Sequence, residues 1–217
     1  MRARSIDWML VAITAIAAVI GALVVAQAHN WAAMTDELLY TGMGRSIAST
    51  FIPFPQVRGS WIGVYQVLYP TVISPIVGSI SMPVAYSWVA VLNAAIFASA
   101  AVPVYLLTNF VTENRSAARW VAVCTVVVPW LSFASKALPD SLAYVAILWC
   151  AYAMARTIRP EAGKSPLKGD LLTLVAITLT YLVRNQFLLL AGVWVGAVVL
   201  ARVAQTLADG SARDLPR

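Results

Sequence analysis

Long apolar segments separated by short polar breaks run through the whole chain. A helical apolar run of about 20 residues crosses the roughly 30 Å hydrocarbon core of a bilayer. The pattern therefore predicts an all-α, polytopic integral membrane protein, with residues 1–217 forming a single transmembrane domain. We predict six spanning helices, at about 8–28, 83–108, 119–134, 139–158, 170–183 and 187–204.

The longest break between apolar segments, residues 29–82, combines polar and apolar stretches. From Thr35 to about Ser49 the spacing is helical, with an apolar stripe on one side and a polar face on another. We predict an amphipathic helix on or in the membrane surface, with Thr35 as N-cap and Asp36 and Glu37 in its first turn. The stripe comprises Leu39, Met43 and Ile47, and the polar face comprises Glu37, Thr41 and Arg45.

Lysine and arginine positions decide how the segments are oriented. If the N-terminus is cytoplasmic and segment 61–80 does not span, all but four of the 15 Lys and Arg residues face the cytoplasm. If 61–80 spans, the distribution inverts, which the positive-inside tendency disfavours. We therefore predict that 61–80, which carries Pro70 and Pro75, is re-entrant or interfacial, and that both termini are cytoplasmic. The four outer cations are then Arg45, Arg58, Lys136 and Arg184.

Composition agrees with this class and excludes others. The chain is 61% hydrophobic and 11% charged, with a mean hydropathy of +0.80, whereas soluble domains have about 45–50% and 25%. The net charge of +6 follows from the positive-inside bias, so we predict no nucleic-acid partner. Cys124 and Cys150 lie in separate apolar segments and are expected to be free thiols. Segment 8–28 exceeds a signal-peptide core, so we predict an uncleaved helix in the plasma membrane.

The predicted topology brings ionisable residues of both signs to the outer face. Besides Asp36 and Glu37, the short loop between the third and fourth helices carries Lys136 and Asp140. A lipid with a phosphorylated head group would suit such a surface. The acid would deprotonate or orient an acceptor hydroxyl, and the cations would stabilise charge on a departing phosphate.

Arg184 is expected to lie below the outer membrane surface. At 1.5 Å per residue, segment 170–183 is about 21 Å long, which is shorter than the hydrocarbon core. The arginine then lies at the tip of a helical hairpin, followed by Asn185 and Gln186. A charge at that depth indicates a functional site.

Each of these residues also has a purely structural interpretation. Asp36 and Glu37 suit the first turn of a helix, where acids interact favourably with the macrodipole. Asp140 suits the first turn of the fourth helix, with Lys136 as a local ion partner. Arg184 can reach the outer headgroups by snorkelling.

Four short motifs, in this order along the chain, resemble GT-C glycosyltransferases, the polytopic enzymes that use polyprenyl- or dolichyl-phosphate sugars. The branch they resemble contains the protein O-mannosyltransferases and the lipid A aminoarabinose transferase. The motifs are Asp36-Glu37-x-x-Tyr40 after the first helix, Tyr65-x-x-x-Tyr69-Pro70 with Pro75, Ser135 to Asp140 before the fourth helix, and Leu182 to Gln186.

The resemblance implies an inverting transfer from a polyprenyl-phosphate-linked sugar to a cell-envelope glycan, lipid or protein on the extracytoplasmic face. It implies that Asp36 is the catalytic acid-base residue, with Glu37 and Asp140 as supporting acids. It identifies no cofactor and leaves a requirement for a divalent cation open. The residues it places near the donor or its lipid phosphate are Tyr40, Arg58, Tyr69, Lys136 and Arg184.

Two features differ from that family. The basic residue usual near the Tyr-Pro segment is displaced, with Arg58 as a stand-in, and family members are more than twice as long. We therefore expect the amino-terminal half of such an enzyme, a half that works with a membrane-protein partner, or an inactive remnant. The alternative is a non-catalytic membrane scaffold or a component of lipid-linked-glycan transport. A transporter would show matching repeats, and we find no convincing internal repeat.

Overall fold

The computed structural model describes residues 7–27, 35–63, 66–127, 134–158 and 166–213. These residues are almost entirely helical. A short antiparallel hairpin, β1 (Gln56–Val57) and β2 (Ser60–Trp61), joins α2 to α3, and a 3-10 turn at Asn185–Leu188 precedes α9. The helices are α1 (Trp8–Ala26), α2 (Thr35–Thr50), α3 (Leu68–Ser79), α4 (Met82–Ala98), α5 (Ala101–Thr112), α6 (Arg115–Val127), α7 (Asp140–Ile158), α8 (Pro166–Val183) and α9 (Leu189–Arg213).

Four helical segments within the described residues are long and apolar enough to cross a membrane. They are Trp8–Ala26, Met82–Thr112, Asp140–Ile158 and Asn185–Ala204. The second combines α4 and α5, which meet at Ser99 and Ala100. Pro103 accounts for this junction, because it has no N–H to bond the carbonyl of Ser99 and so interrupts the helical ladder there. The helical fold confirms the predicted all-α class, and its four long apolar helices agree with the prediction of a membrane protein, whereas the count of six spans stays a prediction.

The α4–α5 segment is the centre of the bundle. Its most apolar stretch is 61% buried inside the protein, whereas that of Asn185–Ala204 is not buried at all. Helix α1 is also largely exposed, with side chains such as Ile16, Val19 and Leu23 on its surface. These apolar surfaces suit a hydrocarbon environment, where no water opposes their exposure.

Contacts between helices define two ends of the bundle. Helix α1 runs antiparallel to α4–α5, since Asp7 contacts Tyr105 and Val25 packs beside Ala90. Helices α7 and α8 are also antiparallel, since Thr157 bonds Thr173 while Asp140 bonds Arg184. We refer to the end with Asp7, Tyr105 and Arg119 as the Asp7 end. The opposite end, with Glu37, Tyr86, Ala137, Asp140 and Arg184, is the Glu37 end.

Helices α2 and α3 pack against the Glu37 end as a parallel pair. The ring of Tyr40 contacts that of Tyr69, and Ala48 lies against Gly78, so the two helices run in the same direction. Glycine permits this close approach, because a Cβ at Gly44 would lie only 2.8 Å from Val77 Cγ2. The pair buries Met43, Ile73 and Val77 against Ala85 and Val89 of α4.

The amphipathic helix expected after Thr35 is present as α2, and both acids lie in its first turn as predicted. The predicted apolar stripe packs inward, with Met43 and Ile47 buried. Helix α3 covers most of segment 61–80 and is about 18 Å long at 1.5 Å per residue, too short to span a bilayer. Its re-entrant or interfacial placement stays a prediction.

Several predicted spans differ in their bounds from the helices observed: 83–108 is divided into α4 and α5, 187–204 corresponds to the longer α9, and 170–183 and 119–134 begin earlier than predicted. Helix α8 begins at Pro166, four residues before the predicted start at 170, because Lys168 and Asp170 are accommodated in its first turns. Its length is therefore about 27 Å, so the argument that a short helix draws Arg184 inward no longer holds. Helix α6 begins at Arg115 rather than 119, and residues 128–133 of that span lie outside the described residues.

Candidate functional site

Glu37 is the most deeply buried acid of the Glu37 end, with 1% of its surface exposed. The backbone N–H of Ala137 donates to its Oε1 at 2.8 Å, and the hydroxyl of Tyr86 donates to the same oxygen. The carboxylate thus joins α2 to α4 and to the connection before α7. A buried carboxylate needs such donors, because desolvation without them is very costly.

A second buried side chain fixes the same connection from α4. Asn93 is fully buried, and its Nδ2 donates to the carbonyl of Lys136 at 2.7 Å and to the hydroxyl of Tyr69 at 3.0 Å. The backbone of residues 136 and 137 is therefore held by one side chain from α4 and one from α2. This fixes the backbone from which the Lys136 side chain projects.

Tyr69 lies at the centre of this group. Burial raises the pKa of its phenol well above the ordinary value, and the nearby charges of Glu37 and Asp140 raise it further, against the opposing hydrogen bond from Asn93. The phenol therefore stays neutral at physiological pH and can donate a hydrogen bond but not act as a base. Its ring meets that of Tyr40 edge to face, with centroids 5.6 Å apart.

Asp140 and Arg184 form an ion pair, with Arg184 Nη2 2.6 Å from Asp140 Oδ1. Asp140 opens α7, and Arg184 lies in extended backbone between α8 and the following 3-10 turn. Each side chain is about one-third exposed, at 33% and 34%. The pair thus brings together two loops that are 44 residues apart in sequence, and it remains accessible from outside.

The other sequence-predicted site residues lie around this group. Asp36 is exposed on the first turn of α2, one helical turn before Tyr40. Arg58 is exposed at the tip of the β1–β2 hairpin. Lys136 is half-buried. Tyr65 of the Tyr-Pro motif lies outside the described residues.

The structure divides the two adjacent acids differently from the sequence. Helical spacing predicts that Glu37 shares a polar face with Arg45. Instead Glu37 is buried on bonds to two other elements, and Arg45 Nε donates to the carbonyl of Val77 at 3.0 Å. The catalytic role of Asp36 stays a prediction.

Sequence reasoning missed Tyr86 and Asn93, which lie inside a segment treated as uniformly apolar. The available signal was Asn93 itself, because an amide within an apolar span usually bonds another helix. It also missed the Asp7 end. There Asp7 caps α1 and accepts bonds from Tyr105 at 2.8 Å and from Arg119 at 3.0 Å. An acid immediately before an apolar run, at an N-cap position, was the sign of that contact.

The groups that converge at the Glu37 end are acids, cations and phenols. Among the residues that the structure describes, no three His, Cys, Asp or Glu side chains come together as a metal site would require. Cys124 is exposed and Cys150 buried, and both are free, as expected. Comparison of the chain with protein-family models, curated proteins and solved structures finds no match.

Proposed function

We propose that the chain is the membrane module of a glycosyltransferase that moves a sugar from a polyprenyl-phosphate donor to a cell-envelope acceptor on the extracytoplasmic face. The observation that supports this most is the convergence of acids and cations at one end of an apolar helical bundle. Asp140 pairs with Arg184, and the segment that carries Lys136 is bonded to α2 beside Asp36. These are groups able to hold a phosphate and to accept a proton.

The proposal includes six spans with both termini in the cytoplasm. The Asp7 end gathers the start of α1 and the first turns of α6, which carry Arg115 and Arg119. Basic residues favour the cytoplasmic side, so the Glu37 end faces outward. In this proposal the segments that contain α6 and α8, at about 119–134 and 170–183, supply the third and fifth spans, beside the four described segments that meet the length and apolarity requirement.

In the proposed reaction, Asp36 accepts the proton of an acceptor hydroxyl as its oxygen attacks the anomeric carbon of the donor sugar. The bond between that carbon and the phosphate oxygen breaks, and the polyprenyl phosphate leaves with the electron pair. A single displacement of this kind inverts the configuration. Asp36 is suited to receive the proton because it is exposed, whereas Glu37 is enclosed by protein.

Arg184 and Lys136 hold the phosphate in this scheme. A guanidinium has five N–H donors, and the bond to Asp140 uses one of them, so Arg184 can bind phosphate while still paired. The charge that develops on the departing phosphate is then stabilised by groups already in place. Lys136 contributes a second cation from a fixed backbone.

The transferase proposal is tested by turnover. Purified protein in nanodiscs receives polyprenyl-phosphate sugars and candidate acceptors, and release of polyprenyl phosphate is measured. Asp36→Asn should reduce turnover by about 100-fold or more, as expected for loss of a general base. Asp170→Asn, an acid in the first turns of α8, is the matched control and should keep full turnover. Equal rates for the wild type and Asp36→Asn would remove Asp36 from the reaction.

Donor binding is tested separately, so that a module needing a partner can still be assessed. Polyprenyl phosphate is titrated into the nanodisc-bound protein, and its Kd is measured for the wild type, Arg184→Ala and Asp140→Asn. Loss of a charge-assisted bond costs about 1.5–3 kcal/mol, so Arg184→Ala should weaken binding roughly 10- to 150-fold. Asp140→Asn leaves Arg184 with its full charge and should not weaken binding. Parallel losses in both variants would show that the ion pair is only structural.

A second candidate function is a non-catalytic scaffold or lipid-linked-glycan transport component. The observation that favours it is that Glu37 and Asp140 already bond protein groups, as structural acids would. The two functions differ in what Asp36→Asn does. A scaffold shows no turnover in either protein and keeps its lipid and protein partners in Asp36→Asn. A transferase shows turnover in the wild type, loses it in Asp36→Asn and keeps donor binding.

A further inference from the structure

The connection between α2 and α3 exposes large apolar side chains that no helix of the described residues covers. Phe51 is 90% exposed, Phe54 65% and Trp61 64%. Residues 51–63 include Arg58 and no acid. Each such side chain would gain about 1.5–3 kcal/mol from full burial, so exposing this group to water is unfavourable.

The segment is held in a defined shape. Gln56 pairs with Trp61 and Val57 with Ser60, across a two-residue turn at Arg58 and Gly59. Both turn residues have positive φ, 53° and 79°, which is the hairpin geometry that matches strand twist. The Trp61 ring also lies against the backbone of Gly63, where a Cβ would collide with it. Trp61 is therefore presented by an ordered hairpin, and Phe51 and Phe54 lie in the segment that leads into it.

The hairpin also has a fixed position on α2. The N–H of Gln56 donates to Ser46 Oγ at 2.9 Å, and Val57 lies 3.6 Å from the Cβ position of Gly42. Side chains alternate along a strand, so Val57 faces α2 while Trp61 faces away from it. The turn thus lies beside the N-terminal half of α2. Glu37 in that half bonds Tyr86 of α4, so the turn lies at the Glu37 end of the bundle.

From these observations we infer that the hairpin and the segment before it, residues 51–61, dock on the headgroup layer of the surrounding bilayer. Phe54 and Trp61 enter the interface, and Arg58 binds the phosphate of an anionic phospholipid. Aromatic rings with an arginine at the ends of spanning helices are the residue types that membrane interfaces favour. The hairpin is connected through α3 to α4, which belongs to one of those helices, so the bilayer is close to it. This surface does not depend on the proposed transferase activity.

The inference is tested by the depth of labels in vesicles of phosphatidylcholine with and without phosphatidylglycerol. Nitroxides are attached to Phe54→Cys and Trp61→Cys in a Cys124→Ser background, with Ser49→Cys on the exposed end of α2 as the control. Collision rates with oxygen, which concentrates in lipid, are compared with those of an aqueous nickel chelate. The oxygen-to-nickel ratio should be several-fold higher at 54 and 61 than at 49.

The Arg58 contribution is separated by Arg58→Asn, because asparagine before glycine retains this turn while removing the charge. Phosphatidylglycerol should deepen the labels in the parent protein and have no effect in Arg58→Asn. Ratios at 54 and 61 equal to that at 49 would overturn the inference. Labels that are immobile and shielded from both reagents would also overturn it, since the hairpin would then lie against a second copy or another protein. Circular dichroism of each labelled variant confirms its helical fold.

Discussion

The Asp7 end and the Glu37 end bind their carboxylates in different ways. Asp7 is a single acid that binds Arg119 through both carboxylate oxygens. Arg119 donates to Oδ2 at 3.0 and 3.2 Å and to Oδ1 at 3.2 Å. The Tyr105 hydroxyl and the N–H of Leu10 also donate to this carboxylate. Three helices, α1, α5 and α6, meet in this one closed contact. Its acid and its cation neutralise each other, which is what a structural clamp requires.

The Glu37 end holds more polar groups than a clamp requires. Glu37 alone joins α2, α4 and the segment before α7, and Asn93 secures that segment again. Asp36 and the partly exposed Asp140–Arg184 pair remain accessible beside it. The comparison suggests that buried polar groups at this end maintain a shape, while the accessible charges are available for a ligand. The following variants test that division.

The largest effect is expected for Glu37→Ala. The change leaves the Ala137 N–H and the Tyr86 hydroxyl without their acceptor, and each unsatisfied buried donor costs about 1–3 kcal/mol. We expect the free energy of unfolding to fall by about 3 kcal/mol, measured by titrating the micelle-bound protein with a denaturing detergent. The exposed neighbour Asp36→Ala should change it by no more than about 0.5 kcal/mol. Similar losses in both variants would remove the distinction between a shape-holding and an accessible acid.

The sequence predicted the helices that begin and end at abrupt changes in polarity. Helix α7 was expected at 139–158 and runs from Asp140 to Ile158, because Pro139 and the polar loop before it mark its start. The predicted N-terminus of α8 at residue 170 is wrong by four residues, because the polar positions up to Gly169 mark a break in the apolar pattern although Lys168 continues the helix. Polarity marks the edge of an apolar run, which is not always the edge of a helix.

The arrangement of the site was much less predictable. Topology correctly grouped Glu37, Asp140 and Arg184 at one end of the bundle, because they belong to loops on the same side. Which acid would be buried depends on contacts such as Glu37 with Ala137, which lie 100 residues apart. Helical spacing describes a helix surface but not the partner that covers it, and this explains why the partners of Glu37 were not predicted.

A smaller effect is expected from Gly44→Ala, which tests whether the Glu37 end depends on close packing of α2 and α3. The added methyl would lie 2.8 Å from Val77 Cγ2 and 3.2 Å from the Pro70 carbonyl, so the helices must separate. We expect a loss of about 1–3 kcal/mol in the same titration. In Gly42→Ala the nearest atom is 3.6 Å away, and the gain in helix propensity should leave stability equal or higher. A destabilised Gly42→Ala and a neutral Gly44→Ala would contradict this packing.

The smallest effect is expected at the Asp7 end, where an ion pair with one partner about one-third exposed contributes about 1 kcal/mol or less. Burial raises the pKa of Asp7, but the hydrogen bonds from Tyr105, Arg119 and Leu10 and the charge of Arg119 outweigh it, so the net pKa is lowered. A depressed carboxyl pKa stabilises the fold above the ordinary value of about 3.9, and this contribution is lost as the pH falls through the lower, folded value.

Unfolding of the wild type and of Asp7→Asn, compared from neutral pH to about pH 3, measures this contribution. The wild type should be more stable by a constant amount down to about pH 5, and the difference should shrink below about pH 4 as Asp7 takes up its proton. Glu37→Ala, measured in parallel, should stay destabilised at neutral pH, because its site loses the acceptor that the Ala137 N–H and the Tyr86 hydroxyl share. A stability difference for Asp7→Asn that persists unchanged at pH 3 would mean that Asp7 acts through its shape rather than its charge. The Asp7 end would then be a packed contact like its counterpart, and the contrast between an electrostatic clamp and a buried polar framework would not hold.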